Sequence, residues 1–591
     1  MSDLLFNRLL LSFINVKNRL ESLLNLCSIN EYRLDIKEIQ IYIRSVSSLI
    51  DNLQYEFKIN DNLKLFSNRS LCKNGWTWKK IQQLNNEEQF FNLELLALLR
   101  LQILATCFNK FDKQKFRKQT TSSNIMMKLI EETKPTISCD HIHINKSSLS
   151  FIPRYDPNKN LLDLPQESLL HIFSVICPCE LISNIAPTCR LFANLILTCC
   201  YSHLDLSTLA SIYDVPQLFN HLSYLQSIRF IDWKNDIISI YDVPRLFNHL
   251  SYLQSIRFID WKNDISILTW SIWFAILSRK SSNLKKIHFQ NVFIYPILIC
   301  LVIEYFPHCL ETIIFDYQQD NNYKNFDFIL CLLGNENLKL RSLTASYQLG
   351  ITNFGILQLV KNLNILVELN LLNINAINDQ SIKILCDKYY IYLETLRIDG
   401  AQLTDKALDF IAQCHQLRKL MIEFCTNMTG ANFSIPSKNN FHKLEQLYLS
   451  TLNNISSKSF QLLFNKNCTF NYLHSLTLGE CHMIDDNCVR LIVQCCPHLI
   501  DLTCSSAYGI TDEGFNEIVT HCNNQLRYFT LTGCHQIYGE ILLDVPEKYL
   551  KSIEYLNLDK CNKIDDIILI ELFQRKKFIS IVNSYGSLIE L

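Results

Sequence analysis

The apolar pattern L-x-x-L-x-L recurs along the C-terminal two thirds of this 591-residue chain. Its first anchors stand at Leu225, Leu253, Leu284, Leu310, Leu340, Leu366, Leu393, Leu417, Leu444, Leu473, Leu499, Leu526 and Ile553. Consecutive anchors are 24 to 31 residues apart. A unit of this size cannot bury its apolar face alone, so neighbouring units stack and share one core. The pattern therefore predicts a repeat solenoid over 208–591, with about 13 repeats.

Each repeat is expected to supply one short strand and then one helix. The alternating Leu-x-Leu has the period of a strand with one apolar side. The clearest copies, such as residues 473–499, continue with a cysteine, an isoleucine and an acidic residue. Asp485, Asp512 and Asp565 stand where a helix would begin, because a carboxylate there accepts free backbone N–H groups. These copies resemble the cysteine-containing leucine-rich repeat, which implies an α/β horseshoe with a parallel strand ladder inside and helices outside.

The 24 cysteines follow the repeat instead of forming a metal or disulfide framework. Cys481, Cys534 and Cys561 occupy one repeat position, and no CxxC pair has a matching second pair. Buried, reduced thiols are therefore expected, with no metal and no cofactor. The first residues contain Asp3 and Arg8 and no small-residue cleavage site, which favours a cytosolic or nuclear protein that is not secreted.

Composition narrows the classes of partner. The net charge is -1, so the chain lacks the basic field that nucleic-acid binding usually requires. The most apolar window, residues 292–305, contains Pro296 and is too short to span a membrane. That window is expected to form a buried repeat helix, and no membrane partner is predicted.

A second feature precedes the repeats. Residues 161–190 read LLDLPQESLLHIFSVICPCELISNIAPTCR and place apolar residues at helical spacing in two groups. Pro165 stands where a helix begins, because its missing N–H would have no partner there. Two short helices with this much apolar surface call for a partner helix or groove.

The segment 161–207 resembles an F-box, the all-α module that binds the Skp adaptor of cullin-RING ubiquitin ligases. Through that adaptor the resemblance implies a cullin and a RING subunit as further partners. The residues expected to contact the adaptor are Leu164, Pro165, Glu167, Leu170, Ile172, Phe173, Leu181 and Ile185. The family usually carries a Leu-Trp pair near the end of this module, where this chain has Cys199, Cys200 and Tyr201.

The order of the two motifs is similar to that of the F-box/leucine-rich-repeat family of substrate receptors. The resemblance implies a subunit of an SCF (Skp–cullin–F-box) complex that binds a substrate protein for ubiquitination and degradation. Such a subunit is not an enzyme and acts by proximity. No Gly-x-Ser-x-Gly, HExxH or phosphate-loop motif points to catalysis.

Two alternatives stay open. The chain is a solenoid scaffold outside any ligase if the missing Leu-Trp pair marks a degenerate F-box. It is a nucleic-acid or metal-linked regulator if its N-terminal region carries the function. Residues 1–118 have helical periodicity and 119–160 are polar enough for a linker. The first histidine is His141, which argues against a His-ligated di-iron bundle in 1–118.

The substrate is expected on the concave face of the strand ladder, where the x residues of Leu-x-Leu-x point away from the core. The candidate contacts are Arg229, Trp233, Arg257, Trp261, His288, Asp316, Arg397, Asp399, Glu423 and Tyr448. Residues 211–237 and 239–265 are identical except for Gln217 and Arg245, and each copy is expected to form one coil.

Overall fold

The computed structural model describes residues 2–29, 36–63, 203–205, 227–231, 252–260, 267–316, 326–335, 338–430, 441–464, 470–522, 525–546, 549, 552–575 and 580–589. These residues form an open α/β solenoid in which a single long sheet has helices alongside it. The fold class predicted from the repeat pattern is confirmed.

Sixteen strands in this part of the chain form one sheet in strict chain order. They are β1 (His203–Asp205), β2 (Ser227–Ile231), β3 (Ser255–Ile259), β4 (Lys286–Gln290), β5 (Thr312–Asp316), β6 (Ser342–Ala345), β7 (Glu368–Leu371), β8 (Thr395–Asp399), β9 (Lys419–Glu423), β10 (Gln446–Ser450), β11 (Ser475–Gly479), β12 (Asp501–Ser505), β13 (Tyr528–Thr532), β14 (Tyr555–Asn557), β15 (Ser580–Val582) and β16 (Leu588–Ile589). Neighbours from β1 to β15 are parallel, and β16 returns antiparallel to β15. Each of the 13 predicted anchors stands two residues before one of the strands β2 to β14, so every predicted repeat supplies a strand to the sheet.

The helices described are two at the N-terminus and eleven within the solenoid. They are α1 (Ser2–Ile29), α2 (Ile36–Leu63), α3 (Ile267–Lys280), α4 (Pro296–Tyr305), α5 (Asp327–Asn335), α6 (Asn353–Asn362), α7 (Asp379–Tyr389), α8 (Asp405–Ile411), α9 (Ser457–Leu463), α10 (Asp486–Cys495), α11 (Asp512–His521), α12 (Ile541–Asp544) and α13 (Asp566–Arg575). The apolar window 292–305 contains α4, which is buried along its length as predicted. None of the described helices combines the length and the apolarity that a membrane span requires.

Each coil turns sharply where its strand ends. The residue after the strand adopts the left-handed conformation in many coils, for example Asn291 (φ 51°), Glu480 (φ 52°) and Ser506 (φ 53°). A single left-handed residue redirects the chain from the sheet toward the helix. The cysteine and isoleucine that follow, such as Cys481 and Ile484, are buried in the shared core. The cysteine side chains that the structure describes form no disulfide bonds.

Aspartates at helix starts link successive coils. Asp486 accepts hydrogen bonds from the backbone N–H (2.8 Å) and the hydroxyl (2.7 Å) of Thr511, which caps the next helix. Asp327 accepts the same two bonds from Thr352. The predicted helix starts are confirmed at Asp485, which caps α10, and at Asp512, the first residue of α11.

The two near-identical segments each contribute one strand to the ladder. Residues Ser227–Ile231 and Ser255–Ile259 pair in parallel, and the same residue types lie opposite one another. At the far end, β15 and β16 extend the sheet by an antiparallel turn, which ends the ladder with a very short edge strand.

The pair of N-terminal helices packs against the solenoid. Helices α1 and α2 pack on each other, and α1 packs on α3, α4 and α5. Buried residues of the pair, such as Phe13 and Val46, lie in one continuous apolar core with the repeats. Within the region 1–118, residues 2–29 and 36–63 are helical, while 64–118 and the predicted linker 119–160 lie outside the described residues.

A half-buried polar contact fixes α1 on α4. The Arg19 guanidinium lies 2.5 Å from the Glu304 carboxylate, and the Asn15 amide donates to the other carboxylate oxygen at 2.8 Å. Water is partly excluded from this pair, so its loss costs more than that of an exposed ion pair.

We expect Glu304→Gln to weaken the docking of α1 by about 1–3 kcal/mol, the usual cost of losing a charge-assisted hydrogen bond. Hydrogen exchange of peptides from residues 2–29 measures this as faster local opening. Glu21→Gln removes the exposed Lys17–Glu21 pair on the same helix and should change exchange by less than about 0.5 kcal/mol. Equal effects of the two substitutions would contradict the expectation.

Candidate protein-binding surface

The concave face is the surface of the sheet that carries the alternate, outward-facing side chains of the strands. Strands show buried and half-buried residues in alternation, so three outward positions per strand line up across the coils. Parallel strands lie about 4.8 Å apart, which brings equivalent side chains of neighbouring coils into contact range. The face therefore presents rows of side chains on a rigid ladder.

Most of the predicted substrate contacts lie on this face. Arg257, His288, Asp316, Arg397, Asp399, Glu423 and Tyr448 occupy strands β3, β4, β5, β8, β9 and β10. Only the backbone of Arg229 is described, in β2, and Trp233 and Trp261 lie outside the described residues. The predicted adaptor contacts, Leu164 through Ile185, also lie outside them.

The first section of the face, at β3 to β5, is tied together by internal hydrogen bonds. The Arg257 guanidinium donates to the Gln290 side chain. The His288 Nε2 atom lies 2.6 Å from the Asp316 carboxylate. The hydrogen bond from His288 holds the pKa of Asp316 below its ordinary value, although burial acts in the opposite direction. His288 was expected to point freely outward, and instead it is buried beside Asp316.

The second section, at β8 to β10, differs because its carboxylates have few partners. Asp399 and Glu423 lie opposite each other on β8 and β9, and Tyr448 lies on β10. One Asp399 oxygen, Oδ1, accepts from the Ala401 N–H at 2.9 Å. The other oxygen, Oδ2, is buried and has no hydrogen-bond partner. The sequence predicted an outward Asp399, but in the structure this side chain is only 1% exposed.

Burial and negative charge act together in this section. Burial raises the pKa of the Asp399 carboxyl. Burial, and then the charge of Asp399, raise the pKa of Glu423. The pKa of Tyr448 is also raised, first by burial and next by the charge of Glu423. Glu423 and Tyr448 therefore both lie in the negative field of a neighbouring carboxylate.

A third section, at β11 to β13, was not anticipated. Thr477, Thr503 and Thr530 lie side by side in register at the central outward position. The row presents hydroxyl groups in place of charges. The signal was present in the sequence as three threonines at the same x position of consecutive repeats.

A row of stacked rings lies beyond the strands in the same three coils. His482 and Tyr508 stack at 4.6 Å between ring centroids, and Tyr508 and His535 stack at 5.4 Å. The Nδ1 atom of His482 is 3.0 Å from the Ser506 carbonyl oxygen. These residues also occupy one repeat position, which sequence reasoning overlooked. Within the described ranges, no group of three or more His, Cys, Asp or Glu side chains is placed to hold a metal ion.

Comparison with known proteins gives a distant structural likeness only. No protein-family model matches the sequence, and no curated protein matches it. Among solved structures, the crystal structure of the Rad7 and Elc1 complex in yeast matches with 15% sequence identity and a TM-score of 0.40. The match covers 71% of this chain and 91% of the other chain. A likeness of this size leaves the function to be argued from the residues of the chain itself.

Proposed function

We propose that this chain is the substrate-recognition subunit of an SCF ubiquitin ligase. In this proposal the F-box-like segment 161–207 binds the Skp adaptor and, through it, the cullin and the RING subunit. The concave face binds a substrate protein, which is then ubiquitinated and degraded in the cytosol or nucleus. The chain itself carries out no bond chemistry.

The observation that carries the proposal is the position of β1. Strand β1 lies inside the segment 161–207 and pairs in register with β2, through His203 with Ser227 and Leu204 with Ile228. The end of the F-box-like segment is therefore part of the same sheet that forms the concave face. A receptor that acts by proximity needs such a direct connection. A flexible connection would lower the effective concentration of the substrate lysine near the ubiquitin that is transferred.

The concave face supports a role in binding proteins. It is a continuous, rigid surface of parallel strands with polar and aromatic side chains, and solenoids present such surfaces to protein partners. Arg397, Glu423 and Tyr448 are half-buried on it, and neither charged group among them forms an ion pair with another described residue. Arginine and tyrosine are common anchors of protein interfaces.

The test is co-purification of the full chain with the Skp adaptor and a cullin. The wild type should retain the adaptor, and a Leu164→Asp, Pro165→Ala double variant should lose it. Placing a charge in an apolar groove costs several kcal/mol, which lowers affinity by about a hundredfold or more. Leu11→Asp is the matched control, since this leucine on α1 is 58% exposed and should tolerate a charge.

Thermal unfolding of each variant separates loss of binding from loss of folding. A wild type that unfolds normally and retains no adaptor would overturn the ligase proposal. That result would favour the scaffold with a degenerate F-box. Equal retention by the wild type and the double variant would show instead that the adaptor does not bind through Leu164 and Pro165.

A further inference from the structure

We infer that the β8–β10 section of the concave face, formed by Asp399, Glu423 and Tyr448, is a recognition site for a lysine or arginine side chain of a protein partner. The inference deepens the proposed function by naming the chemistry of the bound substrate. It rests on that proposal only for the role of the concave face as the substrate-binding surface.

The unpartnered oxygen of Asp399 is the first observation. The side chain is 1% exposed, and Oδ2 has no partner among the described residues. A buried acceptor left without a hydrogen bond costs about 1–3 kcal/mol, and more when it is charged. Folded proteins contain few buried polar atoms without a hydrogen bond. An acceptor of this kind on a binding surface therefore indicates that a binding partner supplies the donor.

The local charge balance is the second observation. Glu423 stands opposite Asp399 in the strand register, and no described lysine or arginine forms an ion pair with either carboxylate. The negative field extends to Tyr448, where the charges of Glu423 and Glu480 both act. Arg397 and Lys419 are the cations on the same strands, and neither forms an ion pair with Asp399 or Glu423. A cation brought by a partner would compensate this field.

The shape of the site selects a long organic cation. Glu423 is half-buried, while Asp399 lies deeper beside it, so a side chain that reaches both must be extended. Tyr448 is near enough to Glu423 for that charge to act on it, and Phe424, the next residue along the chain, is 44% exposed. Cations bind favourably over aromatic rings. A calcium ion takes about six to eight oxygen ligands, and two carboxylates provide too few.

The partner chemistry follows from these groups. A guanidinium presents several N–H donors in a plane and pairs with carboxylates through two parallel bonds. An ammonium offers three donors on a flexible stem. Both satisfy Oδ2 of Asp399 and neutralise Glu423. An acidic or purely apolar side chain does neither, so it should be disfavoured.

The test measures binding of the purified full chain to pools of short peptides. The pools differ only in a fixed central residue, which is lysine, arginine, glutamate or norleucine. The lysine or arginine pool should bind about tenfold more tightly than the norleucine pool, as expected for new charge-assisted hydrogen bonds. An Asp399→Asn, Glu423→Gln double variant should lose this preference. Asparagine can still accept from the Ala401 N–H, so the local turn is preserved.

Asp501→Asn is the matched control. Asp501 is a half-buried acid on the same face, but its carboxylate already accepts from the Ser475 hydroxyl at 3.1 Å. The control should keep the preference for lysine or arginine. Thermal unfolding and adaptor co-purification show whether each variant is folded, and no ligase component takes part in the peptide assay. A negative result in the peptide assay would therefore overturn the cation-site inference without bearing on the proposed ligase function.

Three results would overturn the inference. The first is equal binding of the cationic and norleucine pools to the wild type. The second is a preference that persists in the double variant or is lost equally in Asp501→Asn. The third is calcium or magnesium binding that depends on both carboxylates while peptides show no preference, since the site would then hold a metal ion.

Discussion

Phe289→Ala is expected to destabilise the coils at β3 to β5 by about 4 kcal/mol, the usual cost of removing a buried phenylalanine ring. Phe289 is 1% exposed and stacks between two other rings. Its ring centroid lies 5.7 Å from that of Phe258 and 5.9 Å from that of Phe315. The loss combines the transfer energy of the ring, the cavity left behind and the stacking contacts.

The effect of Phe289→Ala should stay local, because each coil of a solenoid contacts only its neighbours. Hydrogen exchange of peptides covering residues 255–316 should show faster opening, while peptides covering 475–532 should be nearly unchanged. Tyr472→Ala is the control, since this side chain is 57% exposed and should contribute less than about 0.5 kcal/mol. An equal loss of protection in both regions would contradict the nearest-neighbour account.

Gly355→Ala is expected to destabilise the contact between α5 and α6 by about 3 kcal/mol, the usual free-energy cost when a buried charge loses its partner. This reverses the usual effect, because glycine to alanine within a helix normally stabilises by up to about 1 kcal/mol. A Cβ atom at Gly355 would lie 2.0 Å from Oδ1 of Asp327, whose side chain is 2% exposed. The carboxylate must then move and give up its bonds to Thr352.

Another coil supplies the control for this prediction. Ala407 stands at the same position of α8, three residues after the cap Thr404, and the Asp379 carboxylate that bonds Thr404 is half-buried there. Ala407→Gly should cost only the helix propensity, about 1 kcal/mol. Local hydrogen exchange over residues 327–362 and 379–411 measures both effects. A gain in stability from Gly355→Ala would show that the carboxylate relaxes without loss.

The repeat period was sufficient to predict the strand ladder. The anchors from Leu225 to Ile553 each precede a strand, because alternation of apolar residues sets both the conformation and the buried side. Asp485 and Asp512 marked helix starts for an equally local reason, since a cap acts within one turn. The outward positions of Arg397, Glu423 and Tyr448 follow from the same alternation.

Other features depend on contacts that no local pattern records. Periodicity predicted that residues 1–118 are helical, but the docking of α1 on α4 depends on Asn15 and Arg19 meeting Glu304, nearly 300 residues away. The sequence predicted that Asp399 and Glu423 lie on the same face and are equally exposed. Only in the folded chain is Asp399 buried, with one oxygen left without a partner, while Glu423 stays half-buried.

The sequence by itself determined the repeat unit, the number of coils from β2 to β14 and the side of each strand that faces the core. These properties are set within a single repeat, where hydrophobic periodicity and capping decide the conformation. The tertiary structure alone decided which outward side chains satisfy one another, as His288 and Asp316 do, and which remain unpaired, as Asp399 does. That outcome depends on side chains from different coils meeting a few ångströms apart, where burial and charge act between neighbours in space.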